Sequence, residues 1–99
     1  MAVRGHSMGP TLSEGDWLLV DPAAYRSREP TVGDLVVAQG DAGLVVKRVV
    51  GASPDGVLIL SGDAPSGAAH LHDLAVPRTT VAGRPWFRYW PPGRIGRVR

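Results

Sequence analysis

The chain has 99 residues, of which 43% are hydrophobic and 20% charged, a size that accommodates one small domain and excludes two. The absence of cysteine excludes disulfides, thiolate metal ligands and a cysteine nucleophile. The apolar runs are far shorter than the ~20 residues of a membrane-spanning helix, and no secretory leader opens the chain. We therefore expect a single domain over residues 1–99 without a transmembrane segment.

Turn-forming residues divide the chain into short segments, because 13 Gly and 9 Pro are spread along it, several in Gly-Asp pairs. Between these turns, apolar and β-branched runs predict strands at residues 17–20, 35–38, 44–50, 57–60 and about 80–89. Residues 39–43 form a plausible hairpin loop, residues 65–72 a longer loop, and residues 23–28 a weak helix. Short strands at this spacing predict a mainly β fold, either a small barrel or a strongly bent sheet.

Four of the six aromatic residues lie in residues 86–90. Strict alternation would place Trp86, Arg88 and Trp90 on one face of a strand and Phe87 and Tyr89 on the other. We favour core packing with one partly solvated face over a base-stacking platform, and we expect no nucleic-acid partner.

The C-terminal part of the chain is basic, since six arginines and no acid follow Asp73. A tail of this kind can attract phosphate or an anionic lipid surface. The more common explanation is a solvated basic terminus, which we expect from about residue 91 onward.

The chain has ten arginines but one lysine, Lys47, which lies in a β-branched run at residues 44–50. Apolar residues occupy both alternating faces of this run, which predicts a strand covered on both sides. The arginine bias could reflect only genomic base composition. Alternatively, this position requires an amine that can lose its proton, which a guanidinium cannot do.

Ser7 lies among glycines and a proline in residues 5–12, a composition that bends the backbone to present a hydroxyl and free amides. A serine in such a turn is usually only a turn residue. Together with Lys47 in an apolar site, which favours a neutral amine, it becomes a candidate nucleophile with its base. His6 is a poor alternative base, because adjacent residues on an extended chain point to opposite sides.

Three segments agree in order and spacing with one enzyme family: Gly5-x-Ser7-Met8-x-Pro10-Thr11-Leu12-x-x-Gly15-Asp16, Gly33-Asp34-Leu35-Val36-Val37 and Val46-Lys47-Arg48-Val49-Val50-Gly51. Over roughly residues 3 to 64 the chain resembles the serine/lysine (S26-like) signal peptidases. The resemblance implies a small coiled antiparallel β-barrel and a serine endopeptidase with Ser7 as nucleophile and Lys47 as general base. It also implies a precursor protein with an extended N-terminal leader as substrate.

Within this family, short chains with an aromatic-rich end like residues 87–92 look most similar, and these are the maturation proteases of nickel-type superoxide dismutase. The resemblance therefore implies a nickel superoxide dismutase precursor as substrate. Residues 62–72 depart from the family's Ser-x-Asp-Ser-Arg box, and only Ser66 is near enough to replace the serine that orients the lysine. Gly5 stands where many bacterial members carry a hydroxyl that assists the oxyanion hole.

Two alternatives stay open: a non-catalytic signal-peptidase-like barrel that binds peptides, and the soluble core of a general signal peptidase. A self-cleaving repressor-type protease is less suitable, because no separate DNA-binding domain is present.

Substrate binding is expected by strand addition, with Met8, Val45 and Val46 lining the pocket before the cut or serving as ordinary core. His70 and His72 could begin a metal site, but without a third ligand we expect a solvated loop and neither metal nor cofactor. We expect a cytoplasmic protein, with peripheral attachment to a membrane left open.

Overall fold

The computed structural model describes residues 1–5, 8–40, 43–63 and 73–98. Seven strands occupy about half of the described chain: β1 Trp17–Asp21, β2 Leu35–Gly40, β3 Gly43–Ala52, β4 Val57–Ser61, β5 Leu74–Pro77, β6 Val81–Trp90 and β7 Gly96–Arg97. Two short 3₁₀ turns, Arg78–Thr80 and Pro92–Arg94, complete the described elements. None of the helical segments in the described ranges has the length and hydrophobicity of a membrane span.

The strands form one antiparallel sheet in the order β1-β6-β2-β3-β4-β5, with β7 added to β6. The mainly β, antiparallel prediction is confirmed. Closure into a barrel is not observed, because β1 and β5 lie at the two ends of this path and no ladder between described strands joins them. The sheet is therefore open, with β6 as the long strand that connects β1 to β2.

The centre of the sheet is β2, whose residues are buried on both faces. Leu35 and Val37 pack in one apolar cluster with Met8 and Leu12, among others. Val36 and Ala38, on the opposite face of β2, pack in a second cluster. The remaining members of the second cluster are Val49, Leu58 and Leu60. Side chains alternate across a strand, so a run of four apolar residues is satisfied only where both faces are covered.

The two faces of β3 are less completely buried than the sequence predicts. Val46 and Val49 are buried, but Leu44 and Val50 are about half exposed, at 50% and 45%. Val46 and Val49 each belong to an apolar cluster, whereas neither cluster of described residues includes Leu44 or Val50. The faces that carry Leu44 and Val50 are therefore only partly covered.

The aromatic strand does not alternate as predicted. Along the β1–β6 ladder, Leu18 pairs with Arg88 and Leu19 with Phe87, and register shifts leave Tyr89 and Trp86 without a partner on β1. Such bulges re-aim the side chains around them. Tyr89 and Trp90 consequently line the same surface pocket. Trp86 and Trp90 are 46% and 51% exposed, which agrees with one partly solvated face, whereas Tyr89, expected on the other face, is also 41% exposed.

The remaining local predictions divide between confirmed and missed elements. The β2–β3 hairpin is confirmed by the pairing of Gly40 with Gly43, while residues 41–42 and the loop at residues 65–72 lie outside the described residues. Residues 23–28 form turns and bends, not a helix. The sequence did not predict strands β5 and β7. Val98, which follows β7, is buried in the first apolar cluster, so the described residues after Trp90 pack back onto the sheet.

Candidate active site

Lys47 lies on β3 beside an apolar groove. The groove has a volume of about 220 Å³ and is lined by Met1, Val3, Arg4, Met8, Leu44, Val45, Val46 and Lys47. The sequence-predicted residues Met8, Val45, Val46 and Lys47 therefore come together around one groove. Ser7 and His6 lie outside the described residues, as do His70 and His72.

Two backbone segments border this groove. On one side, Val3 is held in an extended pairing, since its N–H donates to the Asp16 carbonyl at 2.7 Å and its carbonyl accepts from the Gly15 N–H at 2.9 Å. On the other side, the part of β3 that precedes Arg48 pairs with β2 on one edge, and no described strand pairs with its other edge. The backbone of β3 therefore presents unused ladder positions next to the groove, as far as the described residues extend.

A carboxylate joins the loop after Met8 to the strand that carries Lys47. Asp63 accepts hydrogen bonds from Thr11 Oγ1 at 2.8 Å, from Arg48 Nε at 3.1 Å and from Arg48 Nη2 at 2.6 Å. Arg48 Nη1 also donates to the Gly33 carbonyl at 2.9 Å. Since Arg48 directly follows Lys47, this network fixes the end of β4, the Thr11 loop and β3 relative to one another.

The same contacts determine the ionisation of the Asp63 carboxyl. Burial opposes its charged form, but the hydrogen bonds from Arg48 and Thr11 and the charge of Arg48 outweigh burial and lower the pKa of Asp63 below its ordinary value. The pKa of Arg48 is raised, chiefly by its hydrogen bond to Asp63. Both groups are therefore charged at neutral pH and form a bidentate pair.

A second carboxylate, which is buried, anchors β6 to the N-terminal part of the chain. Asp16 is only 2% exposed, and it accepts from Arg88 Nη1 at 2.8 Å and from the Ser13 N–H at 2.9 Å. Arg88 Nη1 also contacts the Thr11 carbonyl at 3.2 Å, and Arg94 lies 3.7 Å from the same carboxylate. Burial of this charge is compensated by ion pairing, as buried charges require.

Sequence reasoning missed both of these networks. The signal that could have found the first is an arginine inside a β-branched strand, because a guanidinium in such a position needs an acidic partner. Its partner is separated from it by 15 residues of sequence, and nothing in the spacing selects Asp63 over the other acids. Among the described residues, no group of three or more histidine, aspartate and glutamate side chains could hold a metal ion.

Comparison with known proteins identifies the family. Residues 1–64 match the family described as "Signal peptidase, peptidase S26". The chain is 23% identical to a probable thylakoidal processing peptidase 2, chloroplastic, of Arabidopsis thaliana, in an alignment of 144 positions that covers 98% of this chain and 39% of the relative. It is 26% identical over 97 positions to a probable signal peptidase I-2 of Synechocystis, with 90% and 42% covered.

The chain thus spans about two fifths of the length of these relatives. No solved structure matches it. The family match covers 64 of the 99 residues and contains both the segment around residue 7 and the strand of Lys47. On this evidence the chain belongs to the peptidase S26 family of signal peptidases.

Proposed function

We propose that this chain is the catalytic domain of a serine endopeptidase that removes an N-terminal leader from a precursor protein, with Ser7 as nucleophile and Lys47 as general base. The observation that carries the proposal is the position of Lys47, the single lysine of the chain, on the wall of an apolar groove that Met8 also lines. Met8 directly follows Ser7 in the sequence. The family match supports a peptidase of this kind.

The proposed reaction is acyl transfer in two steps. Neutral Lys47 takes the proton of the Ser7 hydroxyl as its oxygen attacks the scissile carbonyl, and the resulting ammonium then protonates the departing amine. Lys47 next takes a proton from a water molecule as that water attacks the carbonyl of the acyl-enzyme. The bond to the Ser7 oxygen then breaks, and the Lys47 ammonium returns the proton to this oxygen, which restores the serine. Backbone amides would stabilise the oxyanion, because Gly5 offers no hydroxyl for this purpose.

Substrate would bind as an added strand. The extended backbone around Val3 and the edge of β3 with which no described strand pairs border the groove, so an extended leader could pair with both. Met8, Val45 and Val46 would then contact the side chain that precedes the cut. A groove of about 220 Å³ shared among several substrate residues favours small side chains at that position.

The proposed substrate is a nickel superoxide dismutase precursor. This part of the proposal rests on the sequence resemblance at residues 87–92. The chemistry supplies a reason for such a protease. If the metal is bound by a free N-terminal amine, a leader that covers this amine must be removed before the metal can bind.

The test is incubation of the purified protein, without detergent, with a nickel superoxide dismutase precursor and separately with a secretory preprotein, followed by sequencing of new N-termini. A single cut in the dismutase precursor is expected. Cleavage of the secretory protein alone, or only with added lipid, would instead favour the core of a general signal peptidase. Binding without any cleavage would favour a peptide-binding module.

Two variants test the catalytic pair. Ser7→Ala and Lys47→Arg should each reduce cleavage at least ~1,000-fold, because arginine keeps the charge and bulk of lysine but cannot accept a proton. Arg26→Lys, on an exposed turn, is the matched control and should cleave normally. Near-normal turnover by Lys47→Arg, with unchanged circular dichroism, would contradict the assigned base.

A further inference from the structure

Two arginines and a tryptophan line a second pocket, beside β6 and β7. Its volume is about 260 Å³, and its lining residues are Arg84, Trp86, Arg97 and Val98, none of which borders the groove of Lys47. Val98 is buried, and its N–H donates to the Trp86 carbonyl at 3.2 Å, which fixes the backbone of the pocket. The Trp86 side chain remains 46% exposed.

Neither arginine of this pocket forms an ion pair with a described acidic residue. Elsewhere in the described chain, arginines of the sheet are ion-paired, as in the pairs of Arg48 with Asp63 and Arg88 with Asp16. Within the described ranges, neither Arg84 nor Arg97 forms an ion pair or a side-chain hydrogen bond. Asp21 is the ladder partner of Arg84 on β1, but the two side chains form no ion pair, and the Asp21 carboxylate accepts a hydrogen bond from the Ala23 N–H. Two unpaired positive charges around one pocket favour occupation by an anion.

We propose that Arg84, Trp86 and Arg97 bind a phosphate group. A carboxylate is satisfied by a single guanidinium fork, whereas a phosphate offers more oxygens and can be held by two forks from different strands. The indole N–H of Trp86 is a further donor, and its exposed ring can contact the organic group that carries the phosphate. The phosphate could come from a soluble phosphate ester or from a phospholipid headgroup, which carry the same chemistry.

The first experiment titrates ¹⁵N-labelled protein with inorganic phosphate and then with glycerol phosphate. The three tryptophans give three indole cross-peaks, and Trp86→Phe identifies the one from Trp86. This cross-peak should shift saturably. Arg84→Gln and Arg97→Gln should each weaken binding about tenfold, as expected for loss of one charge-assisted contact.

Arg26→Gln is the matched control. Arg26 is exposed and lines neither this pocket nor the groove of Lys47, so the substitution removes one positive charge without changing the proposed phosphate site. It should leave the phosphate affinity unchanged. An equal loss in Arg26→Gln and Arg84→Gln would mean only diffuse attraction, and would overturn the proposal.

The second experiment separates the two sources of phosphate by co-sedimentation with vesicles of phosphatidylglycerol or of phosphatidylcholine. A lipid source predicts sedimentation with phosphatidylglycerol that depends on Arg84 and Arg97 and is inhibited by glycerol phosphate. A soluble source predicts saturable phosphate binding without sedimentation. If neither phosphate nor vesicles shift the Trp86 cross-peak, or if vesicle binding is unaffected in both arginine variants, the assignment is wrong.

Discussion

Asp63→Asn should destabilise the fold in a pH-dependent way. The substitution keeps the shape of the side chain but removes its charge, leaving Arg48 with a neutral partner in place of the bidentate carboxylate. Loss of a partner from a fully buried pair costs about 3–5 kcal/mol. The Arg48 and Asp63 side chains are 20% and 18% exposed, so water screens the pair and we expect about 1–2 kcal/mol. For a domain of this size the melting temperature should fall by roughly 5–15 °C.

The sign of the pH dependence follows from the lowered pKa of Asp63. A carboxyl with a folded-state pKa below its unfolded value of about 3.9 contributes stability that is fully present above that value. This contribution is lost as pH falls through the folded-state pKa. The difference between wild type and variant should therefore be constant from pH 7 to about pH 5 and should shrink below pH 4.

Urea unfolding followed by circular dichroism measures both effects. Asp73→Asn is the matched control, because Asp73 is exposed, and it should change the free energy of unfolding by less than about 0.5 kcal/mol. Equal stability of Asp63→Asn and wild type at pH 7 would refute the argument. So would a difference that persists undiminished at pH 3.

Two further predictions concern other parts of the chain. Burial and the neighbouring Asp34 carboxylate raise the pKa of Tyr25 to about 12. Ultraviolet titration should therefore show a tyrosine that ionises near this pH, and this transition should be absent in Tyr25→Phe. The contribution of Tyr25 to stability is present below about pH 10 and is lost as pH rises toward 12. Gly83→Ala should destabilise the β1–β6 pairing, because an added Cβ would lie 2.6 Å from the Asp21 carbonyl oxygen. Gly93→Ala is the control and should be tolerated, because a Cβ added there has no contact within 4 Å. Thermal unfolding of the two variants measures the difference.

Local patterns predict the strands of this fold well. Apolar, β-branched runs bounded by glycine and proline give β1, β2, β3 and β4 to within a few residues, because each strand buries its own apolar side chains. β5 is missed because it is a four-residue edge strand whose side chains are largely exposed, so its pairing with β4 leaves no hydrophobic pattern. β7 has only two residues and is specified by its partner β6.

Long-range contacts are harder to predict. The exposure of the aromatic strand depends on bulges opposite β1, and bulges are set by the register of a partner that is more than 60 residues away in the sequence. The pairing of Asp63 with Arg48 and of Asp16 with Arg88 similarly depends on which strands become neighbours. The groove residues Met8, Val45 and Val46 could be predicted, because the resemblance aligns the two segments that carry them.

The part of the chain outside the family match supports the groove from behind, although all the lining residues lie within the match. Residues 1–64 contain β1 to β4, but among the described strands β1 and β2 are connected only through β6, at residues 81–90. One wall depends on β1, through the bridge of Ala2 to Trp17, and the other depends on β2, which pairs with the strand of Lys47. Arg88 of β6 adds a direct contact to the loop after Met8. The matched segment therefore contains both walls of the groove, while β6, which the match does not include, connects the strands β1 and β2 behind them.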